Sequence, residues 1–500
     1  MTTRTILAPM ATLALLAGAA QAEPQTPAYL DVPAWMTETR DWSATLEQDA
    51  RALHAIVIDS HPGVHDALNP QFRARVDAGL AQALERARAT TDAGGYWWAM
   101  RAFAASFQDG HLAIALKPQG GLPVRWPGFL TAYRGDDQVV ADRDDQDADA
   151  PPLGARLVDC DGTPAPALAE RRVGEYRGRW FLEAQRASNG DWMFMNANNP
   201  WAPEMRECRF QVGDQTRAYA LNWRPIASTE LGPRRTRAQQ RATPDFGLTR
   251  LDDGGVWIST PSFDGDPNGS SHRALTALTE QMQTDQAALR AAPYVVLDVR
   301  GNGGGSSHWS RNMARVLWGE DWMADHALPP IESIDWRASD DNLAAIQGYL
   351  DEWTAANEDE ARINWAREIV DGMTAARAAG EPFWRDMNTP RTPREGPAAA
   401  QRMAGRVYVL TDSVCASACL DAVDLWKAMG AIQIGRETSA DTVYMDVRST
   451  DLPSGVTRLV LPMKVWRGRA RGNNEPQRPA HPYDGDMADE AALRAWVRGL

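Results

Sequence analysis

The sequence predicts an α/β domain in its C-terminal half, preceded by a helical segment and a β-rich segment. Three observations predict this. Apolar residues recur at helical spacing as far as Phe107. Through residues 120–235 they more often alternate with polar ones at period two. From residue 246 strand and helix patterns take turns, and residues 294–300 form an apolar run of the kind buried on both faces of a parallel sheet.

Taken in order, the chain opens on Met1-Thr2-Thr3-Arg4, an alanine-rich apolar run at residues 6–20, and a small-x-small site at Ala20-Gln21-Ala22. This pattern predicts a secretory signal over residues 1–22. The run falls short of the roughly 20 residues a membrane anchor needs, and no later stretch is apolar enough to span a bilayer. The mature protein is expected to be soluble and secreted, or periplasmic if the source is a Gram-negative bacterium.

A helical segment is expected over residues 23–119. Leu46, Ala50, Leu53 and Val57 form one stripe, which stops at His61-Pro62-Gly63. Asn69-Pro70 supplies an N-cap and a proline at the first helical position. Phe72, Val76, Leu80, Leu84 and Ala87 follow, and then Tyr96, Met100, Phe103 and Phe107. These stripes are core faces. His61 and His65 are four apart, but Pro62-Gly63 breaks any helix that would align them, so both read as structural. Asp109-Gly110 then turns the chain into a strand entered at His111. His111 shares a face with Ala113 and Ala115, which leaves space beside it.

The β-rich part spans residues 120–235. Cys208, Phe210 and Val212 alternate before Gly213-Asp214, and Tyr219, Leu221 and Trp223 alternate after it, a hairpin pattern. Residues 180–201, rich in Trp, Asn and Met, fit no element. Residues 225–245, rich in Arg, Pro and Thr, read as a linker.

The α/β part spans residues 246–500. Its buried strand runs into Gly301-Asn302-Gly303-Gly304-Gly305. A mostly helical, charged insertion at about 320–400 interrupts the alternation, either covering the site or only packing. Strands are expected at 406–412, 431–435 and 458–465, with a helix starting near Ser417 and a terminal helix from about Asp489.

The chain has 500 residues, 44% hydrophobic and 24% charged, with a formal net charge of −14. That charge argues against nucleic acid as a partner, since phosphate binding needs a basic face. The glycine loop does not fit G-x-G-x-x-G and no P-loop lysine follows it, so no nucleotide cofactor is expected. Cys415 and Cys419 have no second Cys/His pair at ligand spacing, so no metal is expected either. They read as small buried thiols packing a tight turn. Cys160 and Cys208 lie in one β-rich region, and export would permit a disulfide between them; the sequence leaves their pairing open.

Two strand-to-helix junctions carry the chemistry. In parallel sheets the active crevice lies beyond the carboxyl ends of the strands. The Gly301–Gly305 loop and the Ser417 turn both follow strands. Three glycines let backbone N–H groups face a ligand, as an oxyanion hole requires. Ser417 begins a helix, which suits an N-cap as well as a nucleophile. His308, just after the glycine loop, reads as structural.

Asp109-Gly110-His111, Leu297-Asp298-Val299-Arg300-Gly301-Asn302-Gly303-Gly304, and Ser417-Ala418 after Thr411-Asp412 occur in the order found in the carboxyl-terminal processing (tail-specific) peptidase family. The chain resembles the tricorn core protease-like branch of that family. The resemblance implies a Clp protease/crotonase-like catalytic domain, a PDZ-like middle domain over residues 120–235 in which Gly154 to Gly162 looks like the corresponding part, and a peptide or protein substrate. It also implies a catalytic set. One design in the family uses a lysine in a G-x-x-T-x-G-K loop, but here the lysine's place holds Asp441. The other uses a histidine, matched by His111, whose imidazole suits proton transfer near neutrality. The implied roles are Ser417 as nucleophile, His111 as base, Glu475 as the group that orients it, and Gly303, Gly304 and Ala418 as oxyanion donors. Where the tricorn-like design has a serine before the histidine this chain has Gly110, so a link from His111 to Glu475 must be direct, through water, or absent. Two other readings stay open: a catalytically silent peptide- or lipid-binding protein of the same fold, and a non-peptidase serine hydrolase such as an esterase. The oligomeric state is not legible.

Overall fold

The computed structural model describes residues 29–500, apart from 119, 243, 267, 327, 330, 359 and 388–394. The signal expected at residues 1–22 lies outside the described residues. No helix among the described residues is long and apolar enough to cross a membrane.

The expected helices form at Trp42–Ser60, Phe72–Ala87 and Ala93–Ser106. Asp41 and Asp92 cap the first and third by accepting backbone N–H bonds, each worth about 1 kcal/mol. Their apolar stripes bury Leu46, Leu53, Val57, Val76, Tyr96 and Met100 completely.

The α/β part is built on a six-stranded sheet. Its order is Gly247–Arg250, Val256–Ser259, Tyr294–Asp298, Arg406–Thr411, Ile432–Gly435 and His481–Pro482. All neighbours are parallel except the first pair. Val295, Val296 and Leu297 have no exposure at all, as an unbroken apolar run requires. Asp298 lies opposite Leu410, so the glycine loop and the Ser417 turn leave the same sheet edge.

A second sheet decides how the halves dock. Ala113–Leu116, the strand after His111, pairs antiparallel with Thr457–Arg467, Ala113 facing Val460. The same long strand pairs with Tyr444–Asp451 and with Ser333–Arg337, which in turn pairs with Phe383–Met387. The insertion is thus more than helical. Its helices, Asp340–Ala355 and Glu360–Ala378, are bracketed by strands that join the sheet. Asn342 donates to the Ser60 carbonyl at 2.9 Å, anchoring it to the first helix.

The β-rich part is an antiparallel sheet of Phe129–Arg134, Asp137–Arg143, Arg156–Cys160, Glu207–Val212 and Gln215–Ala220, with Thr163–Pro164 paired to the third strand. Cys160 and Cys208 face each other across two strands and are disulfide-bonded. Residues 225–245 are not a linker: Arg224–Ile226 is a strand and Ser228–Gln239 a helix. Arg234 and Arg237 pair with Asp142, and Arg235 with Asp191. Ion pairs across elements leave no apolar stripe, so periodicity missed this helix. Residues 180–201 contain the helix Glu183–Asn189 and a 3₁₀ turn, Gly190–Phe194, that buries Met193 and Phe194.

Candidate active site

The turn after Arg406–Thr411 is shaped by Asp412. Its carboxylate accepts the Val414 N–H at 3.0 Å and the Gly301 N–H at 2.9 Å. One buried side chain therefore ties the Ser417 turn to the glycine loop. Burial pushes the Asp412 carboxyl above its ordinary value, an effect the two amide donors partly offset. In the sequence a strand-ending aspartate looks like any turn residue, so nothing there signals this role of Asp412.

Ser417 sits at φ 54°, ψ −123°, a backbone state that costs a side-chain-bearing residue about 1–3 kcal/mol. Its hydroxyl caps nothing, although the helix Ala418–Ala428 starts at the next residue. A serine placed for capping would take the extended conformation and accept a first-turn N–H. The sharp strand-to-helix turn instead presents Oγ outward, as nucleophile elbows do. His111 Nε2 lies 3.5 Å from Ser417 Oγ, across 306 residues of sequence. That is the outer limit of a hydrogen bond, and such contacts tighten when substrate is bound.

The glycine loop lies against this turn. Asn302 is fully buried, donates to the Thr260 carbonyl at 2.7 Å, and accepts the Gly304 N–H at 2.9 Å. The Gly304 N–H, expected in the oxyanion hole, is thus committed inside its own loop. Gly303 is exposed and its N–H has no partner among the described residues. The Ala418 N–H, at the first helical position, has no intrahelical acceptor. Gly304 has a different necessity. At φ +106° a Cβ there would meet Ala416 O at 2.7 Å and Ser417 Cβ at 2.8 Å. Gly304→Ala is expected to push the loop off the nucleophile and cut the rate of serine acylation about 10²-fold, the order that a 1 Å misplacement costs. Gly303→Ala meets nothing within 4 Å and should melt like the wild type.

His111 is held from behind. Its N–H donates to Asp109 Oδ1 at 2.9 Å, and Thr442 Oγ1 donates to the same oxygen at 2.8 Å. The other Asp109 oxygen accepts His61 Nε2 at 3.0 Å. His61 Nδ1 accepts the Gly63 N–H, so the proton of this tautomer is on Nε2. His61 is structural, as read, but what it supports is the His111 loop. Burial alone would raise the Asp109 carboxyl; the His61 hydrogen bond, the two histidines and the His111 amide outweigh it and hold it below the ordinary 3.8. Asp109 therefore contributes stability above the unfolded value, and this is lost as pH falls through the lowered folded one. Asp109→Asn is expected to cost about 1–3 kcal/mol at neutral pH, the range for disturbing a buried, charge-assisted hydrogen-bond set. Below about pH 4 the wild type's thermal midpoint should fall more steeply than the variant's.

Glu475 is not brought to His111. It is exposed and accepts the Gly472 N–H at 2.7 Å, closing its own loop. His111 Nδ1 is buried without a hydrogen-bond partner among the described residues. The space beside Gly110 is filled by Arg179: a Cβ at Gly110 would meet its Nη1 at 2.8 Å. Arg179 Nη1 also donates to the Ala440 carbonyl. Nothing in the sequence around Arg179 signals this. Asp441 is buried and held by Arg469, at 3.0 Å, and by Arg471. His308 is exposed and bonded to Ser306. Cys415 and Cys419, read as free thiols, are a disulfide; four-residue spacing carries no signal that separates the two. A cleft of about 370 Å³ lined by Asp412, Ser413, Val414, Gln239 and Arg436 adjoins the nucleophile turn.

No protein-family model and no curated protein matches the chain. Solved structures do. Mature CPAF superposes with a TM-score of 0.58 at 11% identity, covering 92% of this chain and 96% of that one. The chain has the CPAF fold. Mature CPAF complexed with lactacystin gives a TM-score of 0.55 at 12% identity, over 92% and 98% of the two chains. A photosystem II D1 C-terminal processing protease also matches, at 13% identity over 92% and 97%, but its TM-score of 0.32 lends no weight. At these identities the likeness is one of fold: mixed α/β, with a helical N-terminal region and β-rich sheets. The motif resemblance therefore holds at the level of architecture. In this CPAF fold, the strand after His111 and the strand before Ser417 belong to different sheets, and their docking makes the Ser417–His111 contact.

Proposed function

We propose that the protein is an exported serine peptidase. The observation that carries this is the 3.5 Å approach of His111 Nε2 to Ser417 Oγ, with Ser417 held out of its capping conformation. Ser417 Oγ attacks the substrate carbonyl while His111 takes its proton, and His111 later returns that proton to the leaving amine. The Gly303 and Ala418 N–H groups face the developing oxyanion, a type of contact whose loss costs about 10²–10³ in turnover. In the resting arrangement Glu475 takes no part. The likeness to CPAF supports the peptidase reading. The two disulfides support export, since such bonds persist in oxidising compartments. The sheet between base and nucleophile is assigned the PDZ-like role of presenting a peptide to the cleft beside Ser413.

The test is a fluorophosphonate probe followed by mapping of the adduct. Labelling at Ser417 is expected, with cleavage of peptides in preference to simple esters. Protection by lactacystin, which mature CPAF binds in a solved complex, would tie the site to that fold's pocket. One observation favours a second reading, a silent peptide- or lipid-binding protein: among the described residues His111 Nδ1 has no acceptor to hold the proton a general base must carry there. Absence of labelling would decide for it; ester turnover without peptide turnover would decide for an esterase.

A further inference from the structure

We infer that the Cys415–Cys419 disulfide is a clamp that holds Ser417 in its attacking conformation, so that the nucleophile is switched by the redox state of these two cysteines. The inference rests on Ser417 being the nucleophile. The bond joins residues four apart, with Cα atoms 5.3 Å apart, and encloses Ala416, Ser417 and Ala418. Both cysteines are fully buried, in one apolar cluster with Met313, Leu317 and Leu420. Cys419 already belongs to the helix whose N-terminus Ser417 precedes.

The segment has a competing conformation. Serine is among the preferred N-cap residues, and at a helix start it takes an extended backbone and accepts a first-turn N–H. Ser417 stands at that position but has φ 54° and makes no cap bond. Relaxing to the cap would remove the strain and withdraw Oγ from His111. Extending the backbone at Ser417 also lengthens the path from Cys415 to Cys419, whereas a disulfide spans at most about 7 Å between Cα atoms. The closed bond therefore opposes the capped state. The other local restraints include the turn bonds Cys419 N–H to Ala416 O at 3.0 Å, Leu420 N–H to Ser417 O at 2.8 Å and Cys415 N–H to Asp412 O at 3.2 Å, beside the packing of the glycine loop. Each such bond is worth about 1 kcal/mol, comparable to the strain that rotation of Ser417 releases.

Opening the bond takes two electrons. A dithiol attacks one sulfur, the S–S bond breaks, the dithiol leaves as its cyclic disulfide, and Cys415 and Cys419 gain one proton each. Thiols are kept reduced in the cytosol, so a chain still there has a relaxed, slow Ser417 and one that reaches an oxidising compartment has an active one. Cys160–Cys208 differs. It joins strands 48 residues apart in the β-rich sheet, so it stabilises the fold through its long loop and has no lever on Ser417.

The experiment compares the oxidised mature protein, Cys415→Ala/Cys419→Ala and Cys160→Ala/Cys208→Ala for fluorophosphonate labelling rate, peptide kcat and KM, and thermal midpoint. Cys415→Ala/Cys419→Ala is expected to lower labelling rate and kcat by about tenfold to a hundredfold, the range such a population shift produces, with KM within about twofold. Cys160→Ala/Cys208→Ala is expected to lower the thermal midpoint and leave the labelling rate unchanged. If Cys415→Ala/Cys419→Ala does not fold, the folded Cys160→Ala/Cys208→Ala protein is reduced with a dithiol, labelled, and reoxidised; labelling should fall and return. Labelling by Cys415→Ala/Cys419→Ala, or by the reduced protein, at the oxidised rate overturns the clamp and leaves the nucleophile standing. Failure of the oxidised wild type to label overturns both.

Discussion

Ser417→Ala is expected to abolish fluorophosphonate labelling and lower peptide turnover about 10⁴-fold or more, since removing a nucleophile that acts as one unit with its base disables both. The fold should not notice. The Ser417 hydroxyl caps no helix, and its hydrogen-bond partner among the described residues is His111 at a loose 3.5 Å, so the thermal midpoint should stay close to the wild type's. Ser417→Gly separates function from strain. Alanine keeps the cost of φ 54°, whereas glycine adopts positive φ freely. The glycine variant should be equally inactive yet more stable than the alanine variant by about 1 kcal/mol, read as a higher thermal midpoint. A nucleophile that pays for its position in stability is the usual trade at an active site. Equal midpoints for the two variants would show that the turn is not strained.

His111→Ala should lower turnover and labelling about 10²–10⁴-fold, the contribution of a positioned general base, while Ser417 stays in place. Ser417 is positioned by Asp412, the glycine loop and the Cys415–Cys419 bond, and none of the hydrogen bonds that shape this turn involves the imidazole. The loss should therefore fall on kcat and leave KM nearly unchanged, because uniform substrate binding is not removed. Glu475→Gln is the informative companion. Its carboxylate is exposed and bonded to the Gly472 amide, so the resting geometry predicts less than about a threefold effect on kcat, within the range of surface substitutions. A loss as large as that of His111→Ala would mean that the 472–475 loop turns over to meet Nδ1 during turnover. Asn474 already lies close to that path: its side chain donates to the Gln108 carbonyl at 2.9 Å.

Part of this arrangement is legible in the primary structure because it is local. The stripe Leu46–Ala50–Leu53–Val57 can bury only as a helix, and the unbroken Val295–Val296–Leu297 run only inside a sheet. The order of the Asp109-Gly110-His111, glycine-loop and Ser417 motifs points to one site, and the missing lysine at Asp441 turns the search for a base towards the N-terminal part. The helix Ser228–Gln239 escaped because ion pairs to Asp142 and Asp191 stabilise it, and these partners are far away in sequence. The two strands of the insertion escaped because their partners are distant in sequence: Ser333–Arg337 pairs with Thr457–Arg467, more than a hundred residues downstream, and Phe383–Met387 pairs with Ser333–Arg337 across the two helices between them.

Residue type and spacing are enough to propose Ser417 and His111 as a pair, since chemistry depends on functional groups and the order in which a fold family uses them. Distances and alternatives are another matter. That His111 reaches Ser417 depends on Ala113–Leu116 pairing with Thr457–Arg467, a contact 340 residues long-range in sequence and chosen by packing. That Gly304 gives its N–H to Asn302, that Arg179 fills the gap beside Gly110, and that Glu475 faces solvent are outcomes of competition for hydrogen bonds and volume in three dimensions. The Cys415–Cys419 bond is the clearest case: the same four-residue spacing suits two buried thiols or a disulfide, and only the backbone conformation of the Ser417 turn decides between them.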